Sequence, residues 1–434
     1  MIVSRGALAG ATLVSTEIGL LHLHQLAAIS AVSGHPEVCA QGASRNVPLR
    51  CLRTVGSHDL RRVVTDSGFC LTGRAHQQIA VVDAVSGTRR WTRIGDLAPG
   101  VVVPMRFGEF VGAPRQVPMP VLGQAYYTGD WAVRVPETFT TELAELVGYF
   151  MGDGSLHSKG LRFCVAAEDT DVLRLIESSV FRLFGITPKV RSLPGYHEVS
   201  VHSTRLVAWW SAAGLGKKSP RAGHSGKGWT PHVPAVLRET NSPAVYAAFL
   251  RGLFEADGTV NEGVPSLSTS SAPLAASVRS MLTGLGLLTT TRETTSGLGG
   301  RVFQIRVRNL DYAMRYRSAV GFMGRRKSEK VRTDGPARSG RRDRIFLPRQ
   351  RWNDVAPRGH PRRAALLQSL RKHGSVPRQL AESLGNGCPD PRLERALGDF
   401  YETVRAVVHE SADAVYHLCP SVDSPLTASG FVVR

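Results

Sequence analysis

The sequence predicts an α+β protein in which a β-rich region is interrupted by a doubled block of helices and strands. Three observations predict it. An α-β-α-β-α order occurs twice, about a hundred residues apart. Each copy opens with a helix whose apolar run ends in Asp-Gly: "ELVGYFMGDGSL" (145–156) and "FLRGLFEADGTV" (249–260). Short apolar or alternating runs, broken by Gly, Asp and Ser, flank the doubled block and read as strands and turns.

Bulk properties bound the answer. At 434 residues the chain is too long for one ordinary core, so it divides into domains. Its 42% hydrophobic content suits a globular protein. The formal charge of +19 selects anionic partners, nucleic acid or an anionic membrane surface. No stretch approaches ~20 consecutive apolar residues, so no bilayer span is expected. The N-terminus is mildly apolar but is interrupted by Glu17, His22 and His24, unlike a signal peptide. The six Cys form no CxxC pair, so neither a disulfide framework nor a zinc site is expected, and a reducing cytoplasm is the default.

Taken in order, residues 7–135 supply the strand-like runs "ATLVST", "RRVVTDSGFCLTG", "QQIAVVDAVSGTRRW" and "GVVVPMRFG", with 31–60 expected to be a loop-rich insertion. From about 138 the spacing becomes helical in "TTELAELVGYFMGDG", with Thr140 or Thr141 as N-cap. The strands "LRFCVAA" and "HEVSVHS" follow, around the helix "DTDVLRLIESSVFRLFG", and then the helix "STRLVAWWSAAG". Trp209 and Trp210 on that helix are read as packing residues. The second copy runs through "SPAVYAAFLRGLFEADG", "VPSLSTSS", "APLAASVRSMLTGLG", "RVFQIRVRN" and "LDYAMRYRSAVG". A basic connector from 324, a polar helical stretch around 361–408 and a strand-like C-terminal segment complete the chain.

Gly148 and Gly152 lie four apart, as do Gly252 and Ala256. Small residues at that spacing flatten one helix face, so two such helices can pack backbone to backbone. Asp153 and Asp257 would then emerge side by side, where two carboxylates repel unless a cation sits between them. Hard ions such as Mg²⁺ take oxygen ligands of this kind, including the neighbouring backbone carbonyls of Gly152 and Ala256. Metals held between carboxylates are a recurring device for phosphodiester cleavage. One Asp-Gly after a helix is an ordinary cap; two in matched repeat positions ask for more.

"LVGYFMGDG" (146–154) and "LRGLFEADG" (250–258) resemble the two signatures of LAGLIDADG homing endonucleases, the second at six of nine letters. The resemblance covers roughly 138–332. It implies a monomeric, pseudo-symmetric domain of two αββαββα-type halves that form a saddle on double-stranded DNA and make Mg²⁺-dependent double-strand breaks. It implies that strand residues Arg162, His197, Ser200, His202, Ser266, Ser268, Gln304, Arg306 and Arg308 face base edges and phosphates. It also implies a basic residue near each metal. In the second half Lys327 or Lys330 matches. In the first half His232 or Thr230 stands where Lys is usual, with Lys217, Lys218 and Lys227 nearby as DNA contacts.

The flanks resemble an intein. "ALAGATLVSTEIGLLHLHQLA" matches its opening, "LTGRAHQQIAVVD" the Thr-x-x-His segment, and "DAVYHLCPSVDSPLTASGFVVR" the closing blocks. The chain then reads as a discontinuous Hint-type splicing domain (7–135 and 409–434), the endonuclease domain (138–332), and a basic linker with a helical segment (333–408). Residue by residue, the splicing centre is degenerate. Ala7 replaces the usual nucleophile. Gly73 replaces the Thr of Thr-x-x-His, whereas His76 is kept. His417 replaces an Asp, Arg434 aligns with the penultimate His, and the terminal Asn is not in the sequence. Cys70 and Cys419 read as small apolar packers. Splicing of host exteins is expected to be lost or incomplete. The alternatives are a decayed DNA-binding relic, or an Ala-initiated intein if Asn and a nucleophile follow residue 434.

Overall fold

The computed structural model describes residues 6–32, 37–125, 128, 131–218, 229–295, 299–332, 343–385 and 390–434; Lys227 and Cys388 lie outside them. The chain is a mixed α+β protein of two compact units, residues 1–111 with 337–434 and residues 112–336. The division falls after Val111 and not after residue 135. Segment 112–139 is bonded into the second unit: Arg115 N–H donates to Thr240 O at 2.6 Å, and Arg134 N–H to Phe184 O at 3.1 Å. No helix among the described residues is long and apolar enough to cross a membrane.

The first unit draws strands from both ends of the chain. Val47–Thr65 (19 residues) runs antiparallel to Asp399–Pro420 (22 residues). Asp399–Thr403 also pairs with Val102–Arg106, and Phe431–Val433 sits beside Met105 and Ile79. Two expectations are corrected here. Residues 31–60 are not loop-rich, since they contain Val38–Ala40 and most of the long strand. Val47, Leu49 and Cys51 alternate with exposed neighbours, but Leu52 to Ser57 are all exposed, which erases the period-2 signal. The closing β segment also begins at Asp399, ten residues before the expected 409. Asp399 is fully buried. Its carboxylate meets Arg89 Nη2 at 2.6 Å and Arg106 Nη1 at 3.5 Å. Before it, helices Arg349–Val355, Arg363–His373, Arg378–Gly385 and Pro391–Leu397 close around Trp352, Leu366, Val376 and Leu384.

The second unit is two copies of one plan. The first is α1 (Thr141–Asp153), β1 (Gly154–His157), β2 (Gly160–Ala166), α2 (Thr170–Phe184), β3 (Lys189–Leu193), β4 (Tyr196–His202) and α3 (Thr204–Ala212). The second is α4 (Pro243–Asp257), β5 (Gly258–Asn261), β6 (Val264–Thr269), α5 (Ala272–Gly284), β7 (Thr289–Thr295), β8 (Arg301–Val307) and α6 (Leu310–Ala319). The four-stranded antiparallel sheets have matching orders, β3-β4-β2-β1 and β7-β8-β6-β5.

The opening helices begin on hydroxyl caps. Thr140 Oγ1 accepts from Leu143 N–H at 3.2 Å and Ser242 Oγ from Val245 N–H at 3.4 Å, with Pro243 pre-set at the first helical position. Both pass straight from helix to strand. Gly154 (φ −99°) and Gly258 (φ −86°) are extended, so their role is close approach and not left-handed backbone. A Cβ on Gly154 would lie 2.6 Å from Phe150 Cα, and one on Gly258 would lie 2.3 Å from Phe254 O. Trp209 and Trp210 are buried as packing residues, Trp210 edge-on to Phe150 at 5.0 Å between centroids.

Candidate active site and nucleic-acid interface

The two Asp-Gly helices cross at their small residues. A Cβ on Gly148 would sit 2.0 Å from Phe249 O, and one on Gly252 would sit 2.0 Å from Glu145 O. Further along the crossing, the Asp257 carboxyl carbon is 3.0 Å from where a Gly152 methyl would be. The crossing therefore delivers both acid-bearing helix ends to one place. Asp153 and Asp257 keep a solvent-facing side, but their inner faces are crowded. Burial pushes Asp257 up to about 6, and the Asp153 charge adds to it. Burial also raises Asp153, against the pull of Lys327 and Lys217. An anion pair strained in this way is a place for a cation, and its donors are all hard oxygens, which fits Mg²⁺ or Ca²⁺. Among the described residues no third Asp, Glu, His or Cys joins them, so further ligands would come from backbone, water or substrate.

One lysine stands at each helix end. Lys217 Nζ donates to Gly152 O at 2.6 Å. Lys327 Nζ donates to Glu255 O and lies 3.5 Å from Ala256 O. The carbonyls expected to hold metal thus carry lysine ammonium groups here. Burial lowers both lysines, while Asp257 and Asp153 oppose the shift at Lys217, and Glu255 chiefly opposes it at Lys327. Lys327 reaches the site; Lys330 is exposed two residues past the short helix α7 (Arg325–Ser328).

Among the described residues of the first half, the basic residue at the helix end is Lys217, not His232 or Thr230. The sequence pattern had placed Lys217 only among DNA contacts. Thr230 is bridged through its backbone to Lys218 at 2.9 Å. His232 is partly buried, which pushes its imidazole down to about 4, with Lys218 and Arg238 adding to the effect. Because its folded value lies below the unfolded ~6.5, His232 stabilises fully above that pH, and the stability is lost as pH falls toward 4. Urea unfolding is expected to find the second unit about 1–2 kcal/mol weaker at pH 5 than at pH 7.5 from this group, a difference that His232→Gln largely removes.

Strand alternation sorts the expected DNA contacts. Arg162 faces Ser200 across β2–β4, Gln304 faces Ser268 across β8–β6, and Arg306 faces Ser266. His202 shares the parity of Ser200 at the exposed strand end. Arg308 continues the parity of Gln304 and Arg306 just beyond β8 and is half-buried. His197 is a correction. It has the parity of buried Val199 and Val201, opposite to Ser200, and its Nδ1 lies 3.0 Å from Ser192 Oγ. Ser266 is also withdrawn, being 2% exposed and bonded to Thr259 Oγ1 at 3.0 Å. Three cations on the open faces escaped the sequence pattern: Lys189 opposite Ser200, Arg191 opposite Glu198, and Arg292 opposite Gln304. The Lys-x-Arg alternation in "KVRSL" was the available signal.

Residues 244–321 match the LAGLIDADG-like domain family. That segment holds the second acidic helix and the strands after it. The replicative DNA helicase DnaB of Rhodothermus marinus is 26% identical over 316 residues, covering 68% of this chain and 29% of that protein. The replication factor C small subunit of Thermococcus kodakarensis is 28% identical over 195 residues, covering 44% and 20%. An A-type ATP synthase component of Pyrococcus abyssi is 27% identical over 167 residues, covering 38% and 15%. The chain spans less than a third of each relative's length. Among solved structures, the homing endonuclease I-DmoI is 15% identical, covering 42% of this chain and 95% of that one, with a TM-score of 0.32.

The first unit holds a second constellation. Ala7 is 1% exposed, its carbonyl accepts from Arg74 N–H at 2.8 Å, and a Cβ on Gly73 would lie 2.9 Å from that carbonyl oxygen. His417 Nδ1 is 3.2 Å from Gly6 O. His76 keeps an open side; burial of its inner side lowers it, and Arg74, Arg93 and His417 lower it further. The buried polar side chain here is its neighbour Gln77, missed in the sequence. Its Nε2 donates to Arg434 O at 3.0 Å, and its Oε1 lies 2.1 Å from where a Gly6 Cβ would stand. Cys70 and Cys419 make weak sulfur contacts, to Gly68 O at 3.5 Å and His417 O at 3.7 Å. The five described cysteines are all free thiols.

Proposed function

We propose that the second unit is a DNA endonuclease of the LAGLIDADG type that hydrolyses both strands of a duplex with Mg²⁺ as its metal. The observation that carries this reading is the acid pair at the crossed helix ends with a lysine at each end. Asp153 and Asp257 would hold the metal, which supplies an activated water and stabilises the leaving oxygen. Lys217 and Lys327, one at each helix end, would steady charge on the scissile phosphate. Arg162, Lys189, Arg191, Gln304, Arg306 and Arg292 lie on open sheet faces, as groove and backbone contacts require. Both halves keep acid and base, which favours a cutting enzyme over a decayed DNA-binding relic.

The first unit is proposed to be an intein-type domain carrying this nuclease inside a host protein. A replicative helicase, a replication factor and an ATP synthase component each share only a minority of their length with this chain, which is what a transferable insertion leaves. The match to the helicase covers 68% of the chain, more than residues 112–336 alone, so it takes in part of the first unit too. Splicing by the ordinary route is not supported, because buried Ala7 has no nucleophile to offer and Gly73 replaces a hydroxyl.

The test is incubation with a randomised duplex-DNA library. Cutting of both strands is expected in Mg²⁺ and not in excess chelator. Retention of duplexes should weaken steeply with salt, by a log–log slope of about −0.9 per neutralised phosphate. Salt-sensitive retention without cutting would leave a DNA-binding relic; neither retention nor cutting would remove DNA from the proposal.

A further inference from the structure

Lys327 rides on α7, a helix too short to hold itself in place. Four carboxylates hold it from outside. Gly324 N–H donates to Glu255 Oε2 at 2.9 Å. Arg325 N–H donates to Asp171 Oδ2 at 2.8 Å. Arg326 forms a fork with Asp169, Nε to Oδ1 at 2.6 Å and Nη2 to Oδ2 at 2.7 Å, and its Nη1 also meets the exposed Glu168 Oε1 at 3.2 Å. Asp169 is the N-cap residue of α2, yet its side chain caps nothing there; it is 6% exposed and turned to Arg326. Gly324 also lets the turn press close, since a Cβ there would lie 2.6 Å from Val172 Cγ2. Three of the four acids, Glu168, Asp169 and Asp171, belong to the opposite half of the repeat.

The first half is built differently. Met151 stands where the second half has Glu255, so α1 offers no carboxylate at that level. Lys217 bonds Gly152 O much as Lys327 bonds Glu255 O, but its turn is closed by the Lys218–Thr230 backbone bridge.

We infer that Asp169, Asp171 and Glu255 are positioning residues that lock the 324–328 turn and hold Lys327 at the acid pair, so that the cut needing Lys327 depends on a latch supplied largely by the other half. This rests on the endonuclease reading. It answers why a buried helix end carries Glu255: the carboxylate is spent on the Gly324 amide. It also predicts unequal halves. Without the latch the turn under Lys327 is freed and the one under Lys217 is not, so one strand is cut and the other waits.

The experiment uses the full chain and a supercoiled plasmid bearing a site recovered from the library. Asp169→Asn and Arg326→Gln are expected to nick at near the wild-type rate but to convert nicked to linear DNA about 10–100-fold more slowly, the usual range for loss of an orienting partner. DNA retention should be unchanged. A second readout needs neither DNA nor metal: the amides of Gly324 and Arg325 should exchange with deuterium at least about tenfold faster in both variants. The Arg326 side chain is 34% exposed, so Arg326→Gln tests the latch even where Asp169→Asn folds poorly. Variants that linearise plasmid like wild type, or that lose both cuts equally, overturn the inference while the nuclease reading stands. A wild-type chain that cuts neither strand overturns both.

Discussion

Asp153→Asn and Asp257→Asn are each expected to lower double-strand cleavage by at least about a thousandfold while leaving DNA retention intact. The substitution keeps shape and removes charge, so it isolates what the acid pair contributes. A divalent cation is drawn to two carboxylates; with one amide in their place it meets half the charge. Retention survives because each variant removes a negative group from a surface proposed to meet phosphate. The fold survives because burial disfavours both charged carboxylates where they sit. Burial and the Asp153 charge already push Asp257 up to about 6, so its carboxylate does not stabilise the metal-free protein. A thermal scan should therefore find both variants at least as stable as wild type without metal. Wild-type cutting by either variant would remove that carboxylate from the chemistry.

The second large effect is on the helix crossing. Gly148→Ala and Gly252→Ala are each expected to unfold the second unit, or to weaken it beyond the ~1–3 kcal/mol usual for an added core methyl. The obstacles are backbone and cannot swing aside: Phe249 O at 2.0 Å for one, and Glu145 O at 2.0 Å with Tyr149 N at 2.8 Å for the other. Relief requires the packed helices to move apart. That costs contacts along their length and separates Asp153 from Asp257 as well. Gly123→Ala is the control, because a Cβ there meets nothing within 4 Å. Urea unfolding followed by a probe in the second unit keeps its transition separate from the first unit's. Alanine variants with an unchanged midpoint would refute the backbone-to-backbone crossing.

The same two positions show what could be read in advance. Gly148, Gly152, Gly252 and Ala256 declare a close crossing through spacing alone, and the repeated Asp-Gly places acid at its end. Both signals are local, because a helix of fixed pitch turns sequence spacing into a face. The αβ order of each half and the split β region were legible for the same reason. The strand Val47–Thr65 was not. Its middle is exposed on both sides, so no alternation marks it, and its partner strand Asp399–Pro420 comes from the other end of the chain.

The lysines mark the other limit. A lysine's long stem leaves its ammonium free of its neighbours in sequence, and only the path of the chain decides which helix end it meets. The motif pattern points to His232 or Thr230, whereas the fold brings Lys217 to Gly152. The Asp169–Arg326 fork joins residues 157 apart, and no periodicity connects them. His197 was misplaced by one step of a strand, because its polarity suggested the open face while the register put it on the other. The sequence by itself determined the repeated plan, the crossing helices and the acid pair, since periodicity and side-chain size are enough to specify them. The tertiary structure decided which cations serve the acids, which strand faces are open and what holds Lys327, because those are meetings of segments far apart in the chain, settled by packing and not by pattern.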